Sequence, residues 1–342
     1  MKNFLDEKLN EIFKKEKIAG ACVALTNKEK IIYKNGFGVE NAQRCEIKTH
    51  PDSLYRIASL TKMVTGLTIM KLCEDGILNL DTTIDKYLPR LKLNKDAQKT
   101  ITLRHLLSHK SGLPSEYTPE GAREESALEE SLKGELANCT LESEPQQLKH
   151  LYSNLGIRLA SLIAQQKTGE YYSALAKKYV LNPLGMTKTT FDLRDAATYP
   201  LSLPHTAEDN GFEVEHHIKE NAARLAAGGL YSNTDDLSRL ARCILNGGKA
   251  DNGKEIVSQK TLDEMINHKW NYIKTGKDSC YGLTMTIKEY KDGFLAGHLG
   301  NAAPYGAGFF CDIKKGYGAI VLMNTFNSDL RYEIPKMIME ML

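Results

Sequence analysis

Ser59 and Lys62 stand three residues apart in Ser59-Leu60-Thr61-Lys62, a spacing that puts a hydroxyl and an amine on one face of a helix. An alcohol is almost wholly protonated at neutral pH and attacks a carbonyl poorly, so a neighbouring group must take its proton as the new bond forms. Lysine can do this only as the neutral amine, and burial favours that form because desolvation disfavours the ammonium. The residues that follow suit burial: Met63-Val64-Thr65-Gly66-Leu67-Thr68-Ile69-Met70 carry no charge, and the next charge is Lys71. The stretch predicts a central helix, apolar nearly all round and closed by Gly76 after Glu74-Asp75. Acyl transfer is the chemistry such a pair offers, although a bare S-x-x-K arises about once by chance in a chain of this length.

The surroundings of Ser59 make the motif more specific. Leu54-Tyr55-Arg56-Ile57-Ala58-Ser59-Leu60-Thr61-Lys62 resembles the segment that leads into the nucleophile of the class C β-lactamase and penicillin-binding serine hydrolase superfamily, which includes D-aminopeptidases and β-lactamase-like esterases. Gly76-Ile77-Leu78-Asn79-Leu80-Asp81, Ile84-Asp85-Lys86-Tyr87-Leu88-Pro89 and Leu103-Arg104-His105-Leu106-Leu107-Ser108-His109-Lys110-Ser111-Gly112-Leu113-Pro114 follow in that family's order. The collinear resemblance runs from about residue 18 to the end. It implies Ser59 as nucleophile and Lys62 as its base.

The family's second motif is Tyr-x-Asn, which occurs at Tyr33, Tyr152 and Tyr231. Tyr33-Lys34-Asn35 reads as part of a hairpin with the asparagine serving its turn. Tyr231-Ser232-Asn233 precedes Thr234-Asp235-Asp236-Leu237 and reads as a helix cap. Tyr152-Ser153-Asn154 also precedes a helix, Leu155 to Gln166, so local chemistry does not separate these two. The resemblance does: Leu151-Tyr152-Ser153-Asn154-Leu155-Gly156 is similar to the tyrosine motif, and Ala226-Ala227-Gly228-Gly229-Leu230-Tyr231-Ser232 to a separate structural signature. Tyr152 would then relay the proton to the leaving group, its phenol made easier to ionise by the lysine charge. Asn154 would hold the acyl side of the substrate.

The third motif is Lys-Thr-Gly or His-Thr-Gly on the strand bordering the site. Lys167-Thr168-Gly169 ends a helix, where glycine is a stop signal, and Lys274-Thr275-Gly276 lies in a polar stretch that reads as loop. The better match is His298-Leu299-Gly300, followed by Asn301. By resemblance, His298, Leu299, Gly300 and Asn301 border the substrate, and the backbone N–H groups of Ser59 and Asn301 form an oxyanion hole. Each such donor is worth about 2.7–4 kcal/mol to a tetrahedral transition state. Leu299 departs from the pattern, because a leucine supplies no hydroxyl to bind a substrate carboxylate, and His298 carries less charge than lysine at neutral pH. Both positions favour a neutral ester, lactone or amide over a β-lactam or a D-Ala-D-Ala terminus. Small-molecule esters, amides or short peptides are the expected partners.

The whole chain fits this reading. Its 342 residues are 42% apolar and 26% charged, enough for a substantial core and for two lobes. With 45 basic and 43 acidic residues, there is no basic run with interleaved aromatics to bind nucleic acid. Acidic residues among Met1 to Lys17 rule against a secretory leader, and the apolar run Ile18 to Leu25 is too short for a membrane span and suits a buried strand. Phe4, Leu5, Leu9, Ile12 and Phe13 fall on one face of a helix before it. A cytoplasmic location follows as the expectation. The seven cysteines are odd in number with no C-x-x-C pair, and Cys22, Cys73 and Cys243 sit in apolar segments as core residues.

No metal and no cofactor are expected. His105 and His109 are four apart on an expected helix but enclose no glutamate, and His216-His217 is isolated. Nine glutamates between Glu116 and Glu144, against only Arg123 and Lys133, read first as a solvated helix face and second as a bias toward cationic substrates.

Strands are predicted at Ala21 to Asn27, Lys30 to Gly36, Tyr281 to Glu289, Phe294 to Asn301, Ala307 to Asp312 and Tyr317 to Asn324, with helices and loops between. Sheet segments at both ends imply one sheet completed by both termini. The expected fold is α+β, β-lactamase/transpeptidase-like: an antiparallel sheet flanked by helices (residues 1–90 and 215–342) and an inserted, mainly helical lobe (91–214). The competing class is a catalytically silent binding protein on this fold, which would lack a motif member, whereas Ser59, Lys62 and Tyr152 are all present.

Overall fold

The computed structural model describes residues 2–115, 124–137, 139–216, 221–266, 279–290 and 293–342. Helix α1 (Lys2–Lys15) leads into the hairpin β1 (Gly20–Asn27) and β2 (Ile31–Gly38). The short strand β3 (Tyr55–Arg56) precedes helix α2 (Thr61–Glu74). Strands β4 (His205–Glu208) and β5 (Gly211–Val214) form a hairpin of their own, and β6 (Tyr231–Ser232) pairs with β3. The chain then supplies β7 (Ser279–Tyr281), β8 (Thr286–Tyr290), β9 (Gly293–Ala302), β10 (Tyr305–Asp312) and β11 (Tyr317–Met323).

Among the described residues, one antiparallel sheet runs in the order β2-β1-β11-β10-β9-β8-β7, built from both ends of the chain. Alternation along β1 shows why it is covered on both faces: Ala21, Val23 and Leu25 pack with α1 and the helix Leu330–Glu340, while Cys22 and Ala24 join the larger core around α2. A strand buried on both faces reads as a continuous apolar run, as Ile18 to Leu25 does. Helix α2 is buried on nearly every side, and Gly66 lets it approach the Thr284 loop, where a Cβ would lie 1.9 Å from Thr284 Oγ1.

Several local expectations are corrected. Asn35 lies inside β2, its side-chain amide donating to Asp6 at 2.8 Å, and the hairpin turn is instead held by Asn27, whose Oδ1 accepts from the N–H groups of Glu29 and Lys30. The strand predicted over Tyr281 to Glu289 is two strands, broken where Thr284 takes φ +61°. Phe4 is exposed while Leu5, Leu9 and Phe13 are buried, so the buried face of α1 is narrower than the pattern implies. Lys274-Thr275-Gly276 and His217 lie outside the described residues. No helix among the described residues is long and apolar enough to cross a membrane.

Candidate active site

Ser59 occupies a single 3-10 turn, Ala58–Leu60, that runs directly into α2. Ala58 enters it at φ +50°, a left-handed conformation that costs an L-residue roughly 1–2 kcal/mol. Local hydrogen bonds hold that corner. The Ala58 carbonyl accepts from Thr61 Oγ1 at 2.7 Å, Thr61 Oγ1 accepts from the Leu230 N–H at 3.2 Å, and the Ile57 N–H donates to the Leu230 carbonyl at 2.9 Å. Strain retained in this way, at a point where a hydroxyl must be presented, fits a functional corner.

Lys62, the first cation after that turn, is fully buried. Its Nζ donates to Ser59 Oγ at 3.0 Å and to the Ala227 carbonyl at 2.6 Å. The Tyr152 hydroxyl donates to the same Ser59 oxygen at 3.0 Å, and Lys62 Nζ lies 5.0 Å from the Tyr152 ring centroid. The fold therefore brings together three residues that are 93 positions apart at the extremes. The segment Ala226-Ala227 also accepts from Thr65 Oγ1 at 2.6 Å, so the signature before Tyr231 is a main-chain wall for α2. Asn233 caps the helix Thr234–Leu245 by accepting from the Asp236 N–H, as its sequence position implies.

Tyr152 is held by rings. His109 lies 4.3 Å away between centroids, and Tyr281 and His298 complete the surround at 6.3 and 6.2 Å. The chain turns sharply at His109 (φ +57°), and its Nδ1 accepts from the Ser153 N–H at 3.1 Å. Asn154 follows as the first residue of the helix Asn154–Thr168, half-buried beside Tyr152, its N–H donating to the Ser115 carbonyl at 2.9 Å. His105 is not a partner of His109 on a helix face: the helix ends at Leu107, and His105 sits in a capping box with Thr102. Among the described residues, no three His, Cys, Asp or Glu side chains converge as metal ligands.

The strand β9 carries the third motif, and its four residues take different surroundings. His298 is buried, with Nδ1 2.7 Å from the Leu299 carbonyl and Nε2 2.9 Å from the Tyr281 hydroxyl. A carbonyl only accepts, so Nδ1 carries the proton and Nε2 accepts from Tyr281. Both ring nitrogens are thereby engaged within the protein. Leu299 points to the opposite sheet face, against the cluster that contains Leu295 and Phe310. Gly300 packs against the segment that leads into Ser59: a Cβ there would lie 2.5 Å from the Ile57 carbonyl oxygen. Asn301 is exposed beside it.

Electrostatics follow from burial. Desolvation pushes the His298 imidazole down to about 3, with the Lys62 charge acting the same way. His109 is held well below its ordinary value by desolvation, then by Lys62, and His150 is lowered to about 4 by desolvation, then by Lys110. These rings are neutral at physiological pH. Desolvation likewise raises Cys22, Cys73 and Cys243 to about 12, which leaves them protonated.

Because the folded histidines have depressed pKa values, the unfolded chain binds more protons at acid pH, and stability falls as pH drops from about 6.5 toward 4. We expect Tm to decline over that window and the decline to be shallower in His298→Gln. Thermal melts at half-unit pH steps check this, and parallel slopes for the two proteins would contradict it.

Tyr281, His109 and the Ala227 carbonyl are absent from the candidates that sequence reasoning selected. His109 lay within a recognised segment, so a signal existed, whereas a carbonyl acceptor and a distant tyrosine leave no mark in residue spacing.

The fold is β-lactamase/transpeptidase-like. The chain matches the Beta-lactamase family over residues 5–337 and belongs to it. Protein flp of Staphylococcus aureus (strain N315) is 27% identical over 98% of this chain and 64% of its own length, so the chain spans just under two thirds of that relative. Among solved structures, the octameric penicillin-binding protein homologue from Pyrococcus abyssi superposes with TM-score 0.79 at 23% identity, over 98% of this chain and 77% of the other. The D-amino acid amidase from Ochrobactrum anthropi SV3 gives TM-score 0.79 at 22% identity, over 99% and 96%. EstCE1, a hydrolase with promiscuous acyltransferase activity, gives 0.76 at 20%, over 95% and 94%.

Proposed function

We propose that the protein is a serine hydrolase that cleaves a small neutral ester through an acyl-enzyme on Ser59. The observation that carries this reading is Ser59 Oγ lying 3.0 Å from both Lys62 Nζ and the Tyr152 hydroxyl. In the forward step, which requires Lys62 in its deprotonated form, Oγ bonds to the acyl carbon while its proton passes to Nζ. The carbonyl oxygen becomes an oxyanion, held by the N–H groups of Ser59 and Asn301. Collapse breaks the bond to the leaving group, which takes the proton through Lys62 and Tyr152. Water then attacks the acyl carbon and the same groups act in reverse, returning the proton to Oγ and releasing the acid. Asn154 orients the acyl portion.

The neutral, doubly engaged His298 and Leu299, turned to the opposite sheet face, favour substrates without a terminal carboxylate. Amides of D-amino acids are the second reading, supported by the structural similarity to an amidase, and β-lactams the third. Parallel rates on p-nitrophenyl acetate, D-alanine p-nitroanilide and a chromogenic cephalosporin test the order. We expect the ester to turn over fastest; a cephalosporin rate above the ester rate would overturn the assignment of a neutral substrate.

A further inference from the structure

We propose that Arg331 is a positioning residue that aims and polarises the Asn301 N–H, acting through the peptide bond that Asn301 shares with Gly300. The proposal rests on the acyl-transfer reading above, in which that N–H stabilises the oxyanion.

Arg331 lies in the first turn of the helix Leu330–Glu340, which is pressed onto β10: a Cβ at Gly308 would lie 1.8 Å from the Arg331 carbonyl oxygen. Its side chain runs from there toward β9. Nη1 donates to the Gly300 carbonyl at 3.0 Å, Nε donates to the Ser328 carbonyl at 3.2 Å, and the guanidinium stands 4.8 Å from the Phe326 ring centroid. Two donor contacts and a ring face fix the group. Its cation is close enough to His298 to act against protonation there, after the effects of burial and Lys62.

A trans peptide is planar, and its C=O and N–H point in opposite directions. The Gly300 C=O and the Asn301 N–H are the two ends of one such plane, so a guanidinium that fixes the carbonyl also fixes the direction of the donor. The hydrogen bond is charge-assisted, and accepting it draws electron density toward the oxygen and leaves the N–H a stronger donor. The same stretch of β9 meets the nucleophile turn, since Gly300 abuts the Ile57 carbonyl. Arg331 thus makes no contact with Ser59, yet its charge reaches the oxyanion site through the four atoms O, C, N and H of one peptide.

The test compares wild type, Arg331→Met and Arg331→Lys on p-nitrophenyl acetate, together with the rate at which a fluorophosphonate labels Ser59 and with Tm. Removal of an oxyanion donor outright costs roughly 10²–10³ in kcat, and a donor that is present but misaimed should lose part of that. We expect Arg331→Met to lower kcat and the labelling rate by about 10- to 100-fold with KM within about twofold, and Arg331→Lys to restore part of the loss. Wild-type kcat and labelling in Arg331→Met would overturn the proposal, as would equal losses in the Met and Lys variants that track a fall in Tm. If Arg331→Met does not fold, Arg331→Lys decides: a lowered kcat at unchanged KM and Tm supports the role, and wild-type kcat overturns it. Failure of the wild-type protein to label at Ser59 would instead overturn the acyl-enzyme reading itself.

Discussion

Replacing Lys62 by methionine should lower kcat for ester hydrolysis by about three orders of magnitude, within the range that general-base groups contribute, while KM stays within a few-fold. The side chain is buried, and its amine contacts Ser59 Oγ and a backbone carbonyl. Methionine matches the stem and volume but cannot accept a proton, so Ser59 must attack as the unassisted alcohol. Substrate contacts are untouched, and the loss should therefore appear in kcat rather than KM. Removing the amine strands the Ala227 carbonyl, at about 1–3 kcal/mol for a buried acceptor, but also removes the cost of burying a basic group. Tm should consequently move by no more than roughly a few degrees. Lys62→Arg should be as inactive, because a guanidinium remains protonated at any working pH. Steady-state kinetics with melts on both variants would check this; kcat within tenfold of wild type in Lys62→Met would mean that another group takes the proton.

Tyr152→Phe should lower kcat by roughly 10²-fold on an activated ester, again within the range for acid–base groups, and by more on a poor leaving group. The hydroxyl touches the reacting oxygen, and the ring keeps its packing against His109 after the change. p-Nitrophenolate departs without protonation, whereas an alkoxide or an amine cannot. A series of phenyl and alkyl esters of rising leaving-group pKa should therefore give a steeper decline in the variant. A uniform loss across the series would assign Tyr152 to packing instead of proton transfer.

The parts of this site that are side chains in short motifs could be read directly from the chain. Ser59 and Lys62 are one helical turn apart, so a local rule relates them, and Tyr152 was separable from Tyr231 once its flanking residues were weighed by resemblance. The sheet was equally legible, because Ala21 to Leu25 and Gly318 to Met323 are continuous apolar runs and a strand buried on both faces has that pattern. The β4–β5 hairpin was not, since its two strands are only four residues each and mostly exposed, too short for a pattern to stand out. His298 shows a different limit. Its identity suggested a group bordering the substrate, but the hydrogen bonds that fix its ring, to the Leu299 carbonyl and from Tyr281, could not be read from a three-residue motif. The direction of Leu299 depends on strand register, which a three-residue motif does not specify. Ala227 contributes a carbonyl, and every residue has one.

Acylation of Ser59 is read by intact-mass spectrometry of the protein quenched during turnover of p-nitrophenyl acetate. Peptide mapping should place an added acetyl group on Ser59, with the adduct absent from Ser59→Ala and slow to form in Lys62→Met. Turnover by the wild-type protein with no adduct at Ser59, or an unchanged rate in Ser59→Ala, would contradict the account.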